Sequence, residues 1–215
     1  MRDRPVSATL RPTFADSVIQ APARTTAGLP RDASVDELAV AATAGDVEAV
    51  GRLYDSLVDP IYRYVAMRLR RREDAEDVTQ LVFERIVGAL PRYQHHGKPF
   101  AAWAFRIARN AVIDHQRRLR PMERLGAIAE PSDGILLETI CLHDEEIREL
   151  RAAIRALTPD QQEAIALRYG AGLSAEEAAR VMGRQAGTVR GLTFRAIRAL
   201  RRTYTPNGEQ AHPRD

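Results

Sequence analysis

Three short stretches, SVDE at 34–37, TPDQ at 158–161 and SAEE at 174–177, each place a hydroxyl residue three positions ahead of a Glu or Gln. That spacing lets the hydroxyl accept from the backbone N–H of the third helical residue while the longer side chain reaches back to the N–H of the cap, so each stretch marks a helix start. Pro159 falls at a first helical position, and Gly170 and Gly183 fall where helices opened by Thr158 and Ser174 should stop. Around these signals apolar residues recur at three- and four-residue spacing, and no run alternates as a strand would. The expected fold is all-α.

Interruptions of the helical pattern divide the chain. Residues 1–33 are rich in Pro, Thr, Ala and Arg without periodicity and are expected to be a disordered extension. Residues 34–120 form a first helical domain, with breaks at AGD (44–46), near 70–74 and at PRYQHHGKP (91–99), and with a kink or short interruption at Pro60. Pro121, Gly126, Pro131 and Gly134 punctuate a linker over 121–141, a second helical domain spans 142–203, and 204–215 is a flexible tail. From Glu130 to Glu146 there are six acids and no Lys or Arg, so the linker is acidic. The architecture expected is thus two small helical domains on a flexible acidic tether.

The chain of 215 residues carries a net charge of only +3, yet the charge is unevenly placed. From Arg180 to Arg202 every charged residue is Arg, seven of them, and from 101 to 120 five Arg face Asp114 alone, a net +4. Solvated helix faces mix both signs, whereas a run of one sign is the footprint of a polyanion-binding face. The single Cys141 can form no internal disulfide and points to a reducing, cytoplasmic setting. No apolar run reaches the roughly 20 residues of a membrane span, and the first residues lack a secretory apolar segment. His95 and His96 are adjacent, so on a helix they would diverge by about 100° and not share a metal. With no nucleophile set beside a base and no Gly-rich phosphate loop, neither catalysis nor a cofactor is expected.

Residues 175–182, the turn GRQA (183–186) and residues 187–202 follow the helix-turn-helix plan, whose second helix enters the major groove. Ala178, Ala179, Val181, Met182, Val189, Leu192, Ala196, Ile197 and Leu200 would face inward. Arg184, Gln185, Thr188, Arg190, Phe194, Arg195 and Arg198 are left for the exposed side and its flanks, as base readers, phosphate contacts or solvated residues. In DAEDVTQLVFERI (74–86) the stripe Ala75, Val78, Val82, Ile86 turns inward and leaves Asp74, Asp77, Gln80, Leu81 and Glu84 outside, as a docking surface for a basic partner or a plain solvated face. In FAAWAFRIARNAVIDHQRR (100–118) the stripe is Phe100, Ala104, Ile107 and Ala111, with Trp103 beside it as a core residue.

DAEDVTQLVF, AWAFRIARNAVIDHQRR and the segment from LTPDQQEAIALRYG to RAIRALRR resemble, in order and separation, regions 2 and 4 of bacterial RNA polymerase sigma factors of the extracytoplasmic-function group. The resemblance covers residues 38–120 and 145–203. It implies a factor that binds core RNA polymerase, directs it to -35 and -10 promoter elements and helps to melt the start region. Docking on the clamp helices of the largest polymerase subunit would fall to Asp74, Asp77, Gln80, Leu81 and Glu84, with a second contact at the flap of the next subunit. A flipped base of the -10 element would be taken by Tyr93, Gln94, His95, His96 and Lys98, and Arg106, Arg109, Arg117 and Arg118 would hold -10 bases or phosphates. Asn110 and Asp114 would give hydrogen-bonding support. The -35 element would fall to Arg184, Gln185, Thr188, Arg190, Phe194, Arg195 and Arg198, although Gly191 and Leu192 depart from the group's commoner Ser and Arg. An anti-sigma protein is a further implied partner. The alternative is a helix-turn-helix regulator that never engages core polymerase, which would leave Asp77, Gln80 and Glu84 without a task.

Overall fold

The structure, a computed structural model, describes residue 30 and residues 32–94, 97–124 and 144–203, with backbone alone for 120–124 and 144–148. Most of the expected extension, the linker from residue 125, the pair His95 and His96, and the tail from residue 204 lie outside the described residues.

All elements among the described residues are helical. An N-terminal group comprises α1 (Val35–Thr43), α2 (Val47–Arg68), α3 (Arg72–Ala89) with a 3-10 turn (Leu90–Arg92), and α4 (Phe100–Arg124). A C-terminal group comprises α5 (Asp144–Arg155), α6 (Pro159–Ile165), α7 (Ala175–Met182) and α8 (Ala186–Thr203). The three capping boxes form as read: the Ser34, Thr158 and Ser174 hydroxyls each accept from the third helical N–H, and their own backbone N–H groups donate to the returning Glu37, Gln161 or Glu177 side chain. Gly183 ends α7 at φ 65°, a left-handed conformation in which a Cβ would clash with the following carbonyl.

Two expectations are corrected. Of the kink or interruption expected at Pro60, the interruption does not occur: α2 is continuous from Val47 to Arg68. Leu57, Val58, Ile61 and Tyr62 on either side are buried, and their packing outweighs the backbone hydrogen bond that proline cannot donate. Likewise α4 does not stop at residue 120 but continues to Arg124, taking in Pro121, because Met122, Glu123 and Arg124 are good helix formers. Beyond Ile165, α6 widens into a π-helical turn, Ala166–Gly170, so the chain leaves the helix at Gly170 with Ala171 N–H donating to the Ala166 carbonyl.

Helix α2 is the axis of the core. Leu53, Tyr54, Leu57, Val58, Ile61, Tyr62, Tyr64 and Val65 are buried along it, against the α3 stripe Ala75, Val78, Val82 and Ile86 and the α4 residues Phe100, Ala104, Phe105, Ala108, Ala111 and Val112. The C-terminal group closes on the same core: α6 and its π turn lie on α2, and α7 lies on α4.

Candidate nucleic-acid interface

The turn between α7 and α8 is set by Gly183 and by the Arg184 N–H, which donates to the Ala179 carbonyl at 3.0 Å. Val189, Leu192 and Ala196 fix the inner face of α8, and the Thr193 hydroxyl is returned to the Val189 carbonyl at 2.9 Å. This arrangement turns all seven residues expected to face DNA, Arg184, Gln185, Thr188, Arg190, Phe194, Arg195 and Arg198, to the exposed side. Phe194 is 67% exposed, an apolar ring among guanidinium groups. Leu192 stands where the resemblance offers Arg, and its burial makes it a core residue.

Two of the exposed arginines are held by carboxylates of the same group. Arg190 Nη1 lies 2.7 Å from Glu176 Oε1, and Arg184 Nη2 lies 3.2 Å from Asp160 Oδ2. The hydrogen bond from Arg190 holds the Glu176 carboxyl below the usual carboxylate range.

On α4, Arg106, Arg117 and Arg118 are exposed. Arg109 departs from them: it is two-thirds buried and its Nε faces Glu163 Oε1 of α6 at 3.5 Å. Charge alone did not distinguish it from the other three, whereas its neighbours Ala108 and Val112 carry it to the edge of the buried face. In the loop before α4, Gln94 and Lys98 are exposed, while Tyr93 is drawn inward. The rings of Tyr93, Phe100 and Trp103 form a triangle with all three centroid separations at 5.0 Å, so Trp103 packs as expected. Burial, with Asp36 nearby, raises the Tyr93 hydroxyl above the ordinary tyrosine range. Asp36 of α1 also accepts from the Phe100 N–H at 2.5 Å, supplying the cap that the loop lacks.

On α3, Asp77 and Glu84 are exposed, Gln80 and Leu81 are half-buried, and the Gln80 amide donates to Glu84 at 3.1 Å. Asp74 is separated from this set, since its carboxylate lies 3.6 Å from His115 Nε2 of α4. Asp114 pairs with Arg85 at 3.6 Å, joining α4 to α3, and Asn110 is exposed.

Sequence reasoning missed one polar centre. Glu163 is 4% exposed and receives the Tyr64 hydroxyl at 2.8 Å, with Arg68 Nε at 3.3 Å from its other oxygen. Arg68 Nη1 also donates to Gln162 at 3.1 Å. Burial, and then the neighbouring Glu163 carboxylate, push the Tyr64 hydroxyl well above its ordinary range. The only local signal was a Glu heading the apolar run Ala164 to Leu167. No helix of the described residues is long and apolar enough to cross a membrane.

The profile of Sigma-70 region 2 matches residues 53–121 and that of Sigma-70 region 4 matches residues 147–200. The chain is 38% identical over 177 residues to the ECF RNA polymerase sigma factor BldN of Streptomyces coelicolor, covering 77% of this chain and 64% of that protein. It is 34% identical over 175 residues to the ECF RNA polymerase sigma factor SigC of Mycobacterium tuberculosis, covering 81% of this chain and 94% of that protein. Among solved structures, CnrH in complex with the cytosolic domain of CnrY aligns with a TM-score of 0.56 at 27% identity, over 77% of this chain and 93% of that one. The sigma factor RpoE in complex with the anti-sigma factor NepR from Bartonella quintana has the same fold, with a TM-score of 0.60 at 23% identity, over 71% and 94% of the two chains. Both helical groups are matched, which a helix-turn-helix regulator independent of polymerase would not require. The chain belongs to the extracytoplasmic-function group of RNA polymerase sigma factors, and its work is transcription initiation rather than catalysis.

Proposed function

We propose that the N-terminal group, α1 to α4, engages core polymerase and the -10 element, and that the C-terminal group, α5 to α8, reads the -35 element. The observation that carries this reading is the surface formed by the turn before α8 and the outer face of α8, where the seven expected residues are exposed together and every charge among them is positive. Arg184 and Gln185 of the turn, with Thr188 and Arg190 of the first turns of α8, are placed to meet base edges, with Arg195, Arg198 and Phe194 further along the groove.

Asp77, Gln80, Leu81 and Glu84 form the surface for the clamp helices of the largest polymerase subunit, a half-buried aliphatic side chain set among carboxylates. Asp74 contributes less, being engaged by His115. Taking a base out of the stack costs a few kcal/mol, which the loop before α4 must return through stacking and edge hydrogen bonds. Gln94 and Lys98 are the exposed described residues of that loop suited to this, and Tyr93 offers a ring edge from the aromatic triangle. Arg106, Arg117 and Arg118 hold the adjoining phosphates. The factor works in the cytoplasm, and an anti-sigma protein is a fitting partner, since the matched RpoE structure contains one.

Copurification with core polymerase tests the reading. The wild-type chain should be retained, and the paired reversal Asp77→Lys with Glu84→Lys should be lost. Failure of the wild type to associate would overturn it.

A further inference from the structure

The two arginines nearest the start of α8 are each tied to a carboxylate of an earlier helix. Arg190 Nη1 meets Glu176 Oε1 of α7 at 2.7 Å, and Arg184 Nη2 meets Asp160 Oδ2 of α6 at 3.2 Å. Both acids stand second in their helices, where the helix N-terminus suits a negative charge, so the helices account for the carboxylates. They do not account for the arginines. Each guanidinium reaches across to another element, 14 residues away in one pair and 24 in the other. All four side chains are more than half exposed, and exposed ion pairs of this kind add little to folding stability. What the pairs do is fix the direction of two long side chains.

The consequence lies in what those arginines can then bind. On a duplex the anion nearest any unconstrained guanidinium is a phosphate, which is present at every base step and carries no sequence information. A carboxylate bonded to one side of the guanidinium repels a phosphate approaching the same group. It opposes a base edge far less, because O6 and N7 of guanine are acceptors without a net charge. Arginine offers five N–H donors, and the pairs engage Nη1 of Arg190 and Nη2 of Arg184, so both keep donors for a base edge. The helix surface at this point is also low. Gly187 lies between the two arginines in the sequence, is exposed, and a Cβ built there would meet nothing within 4 Å.

We propose that Glu176 and Asp160 are positioning residues for promoter discrimination, which hold Arg190 and Arg184 towards base edges and keep both from the phosphates. The proposal rests on the reading of the turn and α8 as the -35 interface. It adds that part of the sequence discrimination originates on α6 and α7, in side chains that touch no base. Two negative charges beside the duplex lower the attraction to DNA of any sequence, so selectivity is gained against affinity. With the carboxylates neutral, the same arginines turn to phosphates and binding becomes less selective without becoming weaker.

Glu176→Gln and Asp160→Asn remove each charge at nearly constant shape. The holoenzyme is presented with a promoter of known start site whose upstream element is randomised, and the retained DNA is sequenced. The wild type should enrich particular bases at fixed upstream positions. Each substitution should lower that enrichment about 3- to 10-fold while the fraction of the library retained stays equal or rises, with a salt dependence steeper by about one counterion. Circular dichroism should show unchanged helical content in every variant. In an Arg190→Ala background, Glu176→Gln should lower the enrichment no further than Arg190→Ala alone, since the carboxylate acts through that arginine. Enrichment left unmoved by either substitution, a fall in retention matching the fall in enrichment, or a further loss in the double variant would overturn the proposal. A wild type that retains the promoter but enriches no upstream sequence would defeat the -35 reading itself, and the positioning role with it. Variants that discriminate as sharply as a discriminating wild type would defeat the positioning role alone.

Discussion

Arg190 of α8 and Glu176 of α7 meet at 2.7 Å, so a guanidinium proposed for DNA is already paired with a carboxylate in the protein alone. Both side chains are exposed, and the pair orients Arg190 rather than stabilising the fold. Arg190→Ala should weaken use of the -35 element by about 1 to 3 kcal/mol if the contact is a bidentate base reading, with little effect on polymerase binding. Electrophoretic shifts of the holoenzyme on promoters with and without the upstream element check this; equal losses on both would contradict it.

The same pair gives a pH expectation. Glu176 has its carboxyl lowered by Arg190, so the pairing is complete above the ordinary carboxylate value and is lost as pH falls through the lowered one. Binding to the -35 element should therefore show no step attributable to Glu176 between about pH 6 and 8. A titration in which Glu176→Gln changes the profile in that range would refute the assignment.

Phe194 is two-thirds exposed and makes little contribution to packing. Phe194→Ala should change unfolding free energy by no more than about 0.5 kcal/mol while reducing occupancy of the -35 element. Chemical denaturation and footprinting of the same preparation separate the two effects.

Asp36 caps α4 from another helix, through the Phe100 N–H that opens the helix beneath Tyr93 and Trp103. Asp36→Ala should cost about 1 kcal/mol and loosen the aromatic triangle. Because Trp103 is the only tryptophan, its emission reports the change directly; an unaltered spectrum with unaltered stability would show the cap to be dispensable.

What was legible in the sequence was local or periodic. Ser34, Thr158 and Ser174 announce their helices because a cap and its partner are three residues apart, and the stripe from Ala75 to Ile86 announces its inner face by spacing alone. The outer face of α8 followed once Val189, Leu192 and Ala196 were assigned inward. Asp36 and Phe100 are 64 residues apart, and Glu163 and Tyr64 are 99 apart, so no window along the chain contains either pair. Glu163 was indistinguishable from a solvated helix carboxylate until α2 and α4 were seen on either side of it. The distinct setting of Arg109 was hidden for the same reason: its charge matches its neighbours, and only the packing of α6 separates it from them. At Pro60 the interruption that local geometry allows does not occur, because the helix is buried on either side of it.

Protection mapping of the holoenzyme on a promoter with a known start site tests the division of labour most directly. Two separate protected patches are expected, the upstream one lost with Arg190→Ala and the downstream one weakened with paired Arg117→Ala and Arg118→Ala. Loss of both patches together with either set of substitutions, or a single patch in the wild type, would contradict it.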